Sequence, residues 1–226
     1  MTRRVLGIDS TSGACSAALL VGGATVANRF EIMQRGQAEA LAPMVDGVMN
    51  DAGVTADDLD LIGVTVGPGA FTGVRIGLAA ARALGLASNT PVAGITTFSA
   101  VAAACPDGDR DARALLVVIE SRRDDHFLQL IGAGGIALAE PRALDASDVP
   151  AYVGDHVGSN GVRLIGDGAA RLFEAGVLTG AILGDGPGLP DARHVAALAA
   201  RVSPEAMKPP IPLYLRPPDV AIPAGT

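Results

Sequence analysis

Tryptophan is absent from this 226-residue chain, and only 3% of its residues are aromatic. The large core fillers are missing, so Ala, Val and Leu must build the interior. Small side chains bury less area each but let secondary-structure elements approach closely. Charge is sparse as well, at 18% against 49% hydrophobic residues, which leaves ample apolar material for one large domain or two small lobes. Cysteine is nearly absent: Cys15 and Cys105 make no disulfide framework and no Cys-x-x-Cys pair. Cys15 lies in an apolar run and reads as a buried thiol. No apolar run approaches the ~18 residues a membrane span needs. The start, Met1-Thr2-Arg3-Arg4-Val5, lacks the apolar run and cleavage site of a signal peptide, so the expected location is the cytoplasm. Positive charge is also short. A net charge of −7 argues against independent nucleic-acid binding, because phosphate attraction needs clustered Lys and Arg. It leaves open a role in RNA chemistry beside a more basic partner.

What is present is ordered in blocks. Residues 4–9 and 14–21 read as buried strands joined by the polar turn Ser10-Thr11-Ser12-Gly13, and a third strand covers roughly 24–32. From 37 to 52 the apolar positions Ala38, Leu41, Val45, Val48, Met49 and Ala52 recur at helical spacing, and Gly53 supplies a stop. A strand at 61–66 leads through Gly67-Pro68-Gly69-Ala70-Phe71-Thr72-Gly73 into a helix from 72 to 88, with Thr72 as its expected N-cap. A strand at 92–95 and a helix ending near Ala104 follow. The turn-rich Pro106–Asp111 reads as a hinge. Beyond it come strands near 115–119 and 126–131 and helices at 167–175 and 191–202. The tail from Pro209 to Pro223 has too many prolines for a helix and should lie extended on the surface. This order predicts a two-lobed α/β protein. The lobes are expected at 1–105 and 106–226, with the option that helix 191–202 packs back on the first.

Two motifs carry possible chemistry. Asp9, Ser10 and Thr11 follow a buried strand directly; in sugar kinases, actin and Hsp70 chaperones such a loop approaches phosphates and a metal. The alternative is a turn whose side chains satisfy their own N–H groups. The Gly67–Gly77 segment could present N–H groups to an anion at a helix start, yet it is neither a Walker loop nor Gly-x-Gly-x-x-Gly. A rigid strand-to-helix connection with Phe71 packed inside explains it equally well. The helix after it places Gly77, Ala81 and Gly85 four apart, with Ala80 and Leu84 alongside. That strip either packs on the chain's own sheet or admits a second helix at short range.

The segments IDSTSGACSAALL and GPGAFTGVRIGLAAARALG, with Gly94–Phe98, Ile119–Arg122 and Pro212–Arg216, together resemble the TsaB (YeaZ) family. The resemblance spans nearly the whole chain, and the glycine-rich segment is its most diagnostic part. It implies an actin-like (ASKHA) fold with a mixed sheet and helices in each lobe, related to the catalytic paralogue TsaD. It also implies a role in making N6-threonylcarbamoyladenosine at position 37 of ANN-decoding tRNAs. In TsaD a His-x-x-x-His pair follows the strand after the glycine-rich helix, placing two imidazoles on one helix face for a metal. The matching positions here are Thr97 and Val101, and His126, His156 and His194 are scattered. The expectation is therefore a non-catalytic chain that binds no metal or nucleotide alone, with Asp9, Ser10 and Thr11 a degenerate remnant of a phosphate loop. ATP and metal would belong to partner subunits. The expected partners are a TsaD-like catalytic chain and a TsaE-like ATPase, with tRNA reached only through the complex and a homodimer as an option for the free chain. The resemblance assigns the partner interface to Met44, Val45, Val48 and Met49 on the first helix and Gly77, Ala80, Ala81, Leu84 and Gly85 on the second. The reading from another class is an independent ATP-dependent phosphotransferase of the sugar-kinase type.

Overall fold

Among the described residues ten strands assemble into two five-stranded sheets whose orders repeat one another. This computed structural model describes residues 2–106, 113–121, 123–157, 161–185, 188–203, 205, 207 and 209–216. In the first sheet β1 (Arg4–Asp9), β2 (Ala14–Val21) and β3 (Ala24–Ile32) form an antiparallel meander. Strands β4 (Leu61–Thr65) and β5 (Val92–Ile95) then add in parallel beside β1, giving the order β3-β2-β1-β4-β5. The second sheet repeats this plan with β6 (Ala114–Glu120), β7 (His126–Ile131), β8 (Arg142–Leu144), β9 (Val162–Ile165) and β10 (Ile182–Leu183), in the order β10-β9-β6-β7-β8. The two-lobed actin-like α/β class expected from the sequence is the observed one.

Strand periodicity decides which helix goes where, since successive side chains point to opposite faces. Leu6, Ile8, Ala17 and Leu19 pack with Leu41, Met44, Val45 and Val48 of α1 (Gln37–Asp51) and with Val74, Leu78 and Ala81 of α2 (Phe71–Ala87). Val5, Leu20, Leu61 and Ala93 instead pack with Val195, Ala196 and Ala199 of α6 (Ala192–Arg201). Gly7 and Gly63 are register partners in β1 and β4. A Cβ on Gly63 would lie 2.7 Å from the Ala199 Cβ, and one on Gly7 would strike the Ala192 carbonyl. Here the shortage of large side chains becomes visible as geometry: a helix of alanines lies directly on glycines. Asp191 caps α6 by accepting from the Arg193 N–H.

Helix α3 (Thr97–Ala103), capped by the Thr96 side chain, joins the two sheets. Its Phe98, Val101 and Ala102 pack with Leu115, Val117 and Ile119 of β6. On the far face of the second sheet Leu116, Val118 and Leu128 meet α4 (Val149–Gly154) and α5 (Ala169–Glu174). The sequence reading missed β8 to β10 and α4, all short elements among glycines and prolines. Asp167 does not cap α5, whose N-cap is Gly168; its carboxylate accepts from the Glu120 N–H instead, at 2.8 Å. The 107–111 part of the hinge, Arg122 and the 217–223 end of the tail lie outside the described residues. Among the described residues no helix is long and apolar enough to cross a membrane.

Candidate functional site

Asp9 ends β1 with its carboxyl fully buried. Its Oδ1 accepts from the Thr65 hydroxyl at 2.6 Å, the Thr11 hydroxyl at 2.7 Å and the Thr11 N–H at 3.3 Å. Its Oδ2 has no hydrogen-bond partner. Burial outweighs the three hydrogen bonds and raises the pKa from 3.8 to about 6. Thr65, on β4, was not singled out in the sequence because only parallel pairing with β1 brings it here.

The glycine-rich segment closes over this turn. The Ala70 N–H donates to the Thr11 carbonyl at 2.7 Å, the Thr97 N–H to the Gly67 carbonyl at 2.8 Å, and the Ser10 hydroxyl to the Gly73 carbonyl at 2.8 Å. A Cβ on Gly69 or Gly73 would collide with the Thr11 or Ser10 carbonyl, so glycine is required here for backbone to lie on backbone. Ser10 and Thr11 are wholly buried as a result. The chain's own loop thus lies directly over the turn. Thr97 and Val101 are also buried, the former donating to Thr11 Oγ1 at 3.2 Å and the latter in the core between the sheets. Neither supplies a metal ligand.

The buried acid has a measurable consequence. The raised pKa means that folding favours the protonated form. This contribution is complete below pH 4 and is lost as pH rises through about 6. The loss should amount to roughly 2 kcal/mol between pH 4 and pH 7, out of about 3 kcal/mol in all at 1.36 kcal/mol per unit. Asp9→Asn should remove that slope. Urea unfolding at both pH values checks it, and equal pH dependence in the two proteins would show that Asp9 is not the responsible group.

The expected partner interface needs correction. Gly77, Ala81 and Gly85 face inward, as do Met44, Val45 and Val48. A Cβ on Gly85 would lie 2.6 Å from Val92 Cγ2, and one on Gly77 2.9 Å from Ser10 Oγ. The small-residue strip serves close contact with the first sheet and cannot touch another molecule. Met49, Ala80 and Leu84 are half-buried at the edge of the same core. The outward face of α2 carries Ala79, Ala83, Leu86 and Ala87, with Leu86 86% exposed.

Two further expectations are revised at the start of α2. Its N-cap is Ala70 rather than Thr72, and no side chain caps it. Phe71 is 49% exposed rather than packed inside, and its ring lies 5.5 Å from that of Tyr214 in the tail. The described part of the tail does run extended: the Leu213 N–H donates to the Val66 carbonyl at 2.8 Å, and Arg216 pairs with Asp125. At the end of β6, Arg171 holds both Glu120 oxygens at 3.0 and 2.9 Å. His126 is buried, its basicity lowered first by burial and then by Arg171. Cys15 is the expected buried thiol, pushed up to about 11 by burial.

Comparison with known proteins places this architecture. The family model described as TsaD, tRNA N6-adenosine threonylcarbamoyltransferase, matches residues 29–139. The tRNA threonylcarbamoyladenosine biosynthesis protein TsaB of Escherichia coli K12 is 37% identical over 99 residues, 44% of this chain and 42% of that protein. The tRNA N6-adenosine threonylcarbamoyltransferase of Erythrobacter litoralis is 38% identical over 109 residues, 41% of this chain and 32% of the relative. The chain thus spans less than half the length of these curated relatives. The crystal structure of YeaZ from Pseudomonas aeruginosa superposes with a TM-score of 0.78 at 27% identity, covering 94% of this chain and all of that one. The fold, the glycine-rich loop over the β1–β2 turn and these relatives agree: the chain is similar to the TsaB (YeaZ) and TsaD proteins.

Proposed function

We propose that this chain is the non-catalytic partner subunit of a tRNA N6-threonylcarbamoyladenosine transferase, holding a TsaD-like chain in its active arrangement. The observation that carries the reading is the outward face of α2. Ile76, Ala79, Ala80, Ala83, Leu86 and Ala87 make an apolar, mostly small-residue surface edged by the exposed Arg75 and Arg82, with α1 packed beside it. A helix face of this shape admits another helix near the short end of the ~8–10 Å interaxial range. Left in solvent, it contributes nothing to the monomer, and a contiguous apolar face marks an interaction site. Two such helices meeting two from a TsaD-like partner would form an intermolecular four-helix contact. The same face would pair two copies when the chain is alone.

The family relationship supports the pathway, and the buried Thr97 and Val101 support placing catalysis in the partner. In this reading ATP and metal reside in the TsaD-like chain and a TsaE-like ATPase, the folded tRNA is gripped by the assembled complex with this chain contributing one local contact, and the setting is the cytoplasm. Activation requires that this chain bind the partner's active conformation better than its inactive one. The test is reconstitution from threonylcarbamoyl-AMP and tRNA, with nucleoside analysis by mass spectrometry. This chain alone should give no modified nucleoside, and adding it to a TsaD-like chain should raise the rate at least tenfold. Product from this chain alone would overturn the non-catalytic assignment; an unchanged rate with the partner would overturn the activating role.

A further inference from the structure

A cavity of about 890 Å³ opens where the N-terminal ends of α1 and α2 meet the β6–β7 turn and the tail. Four arginines line it, Arg35, Arg75, Arg123 and Arg216, against two carboxylates, Glu39 and Glu120. Glu120 pairs with Arg171, as Arg216 does with Asp125, and the other lining charges are Arg35, Arg75, Arg123 and Glu39. The positive potential therefore stands out in a chain of net charge −7. Neither α1 nor α2 has a side-chain cap, so the positive ends of both helix dipoles add to it.

The same cavity gathers three of the chain's seven aromatic residues, Phe71, Phe127 and Tyr214. Tyr214 is 46% exposed although the protein has few aromatic rings to spare for its interior. The Arg75 guanidinium lies 3.7 Å over the Phe71 ring and donates from Nε to the Tyr214 hydroxyl at 3.3 Å. Its plane is thus held before any ligand arrives. Exposed aromatic faces and ordered guanidinium planes among positive groups are the means by which proteins hold unpaired bases and their phosphates. The arginines come from four separate segments, which suits successive phosphates of a strand better than one phosphate group. Duplex RNA would not reach the rings, because its bases stay stacked.

We infer that this cavity holds an unpaired nucleotide of a single-stranded RNA segment, with the base against Tyr214 and Arg75 and phosphates toward Arg35 and Arg123. The inference rests on the tRNA-modification reading for the identity of the RNA, but its test needs no partner subunit. Fluorescence anisotropy of a labelled single-stranded ribo-octamer with the full chain at low salt should show saturable binding, at least tenfold tighter than for the same octamer in duplex. Tyr214→Ala should weaken binding about five- to a hundredfold, the range for losing one stacked base. Tyr214→Phe should retain it. Arg35→Ala should flatten the salt dependence by about 0.7 in log–log slope, one phosphate contact for a single strand. Free AMP should compete only at far higher concentration than the octamer. Absence of saturable binding, equal binding of duplex, indifference to Tyr214→Ala and Arg35→Ala in folded variants, or displacement by AMP at the octamer's own concentration would each overturn the inference. A chain that fails here and still activates its partner loses the RNA site alone; one that binds RNA without activating loses the subunit role alone.

Discussion

Ala81→Arg should leave no cooperatively folded protein at 25 °C. Ala81 is wholly buried in the core between α2 and the first sheet, among Val64, Val74 and Leu78. An arginine there adds a long side chain to a close-packed site and places a charge where the surrounding core cluster is apolar. The combined cost is on the order of 5 kcal/mol or more, comparable with the whole stability of an ordinary domain. Gly85→Arg should behave alike, since even its first carbon would lie 2.6 Å from Val92 Cγ2 and 2.8 Å from the Thr90 carbonyl oxygen. Circular dichroism during heating checks both. A wild-type melting curve for either variant would mean that α2 is turned the other way and its small-residue strip is free.

The opposite result is expected two residues further on. Ala83→Arg should leave thermal unfolding within about 2 °C of wild type, because Ala83 is exposed and surface substitutions change stability little. It should nonetheless abolish the complex with a TsaD-like chain. An arginine in the middle of the outward α2 face would hold two helices apart and bury a charge without a counter-ion, a loss of roughly 3–5 kcal/mol. At ~1.4 kcal/mol per tenfold, that is over a hundredfold in affinity, enough to empty a micromolar complex. Calorimetric titration measures it directly. If the free chain dimerises through the same face, analytical ultracentrifugation should show the variant as a monomer. Unchanged partner affinity would place the interface on another surface. The pair of substitutions separates fold from association on one helix, since Ala81 and Ala83 lie roughly 200° apart around its axis.

The contrast between Ala81 and Ala83 also shows where sequence patterns lose their hold. Gly77, Ala81 and Gly85 stand out as a strip, yet a helix without bulky residues on one face suits a glycine-bearing sheet of the same molecule and a foreign helix equally well. In this chain Ala79, Ala83 and Ala87 form a second small-residue row, so periodicity offered two candidate faces. Burial chose between them: the inward row fits against Val92, Ile62 and Ser10. Met44, Val45 and Val48 follow the same logic, being apolar at helical spacing because α1 must cover β2 and β3. The cavity was less legible still. Phe71 and Tyr214 are 143 positions apart, and nothing local to either announces the other. The one available signal was a Tyr and an Arg in the proline-rich tail, where neither is needed for a core.

The sequence by itself determined the strands and helices of the first lobe, because β1, β2, β4, α1 and α2 are long or strongly apolar and are bounded by glycine-containing turns. It carried the likeness to the TsaB and TsaD proteins through segments that span the chain. It also determined that Thr97 and Val101 carry no imidazole. Only the tertiary structure decided that the Asp9-Ser10-Thr11 turn is sealed, because the sealing groups are backbone atoms of Gly69, Ala70 and Gly73, brought there by parallel pairing of β1 with β4. Side-chain chemistry is written residue by residue in a sequence. Which face of a helix is spent on the core, and which backbone lies against which, follows from how the sheets and helices stack.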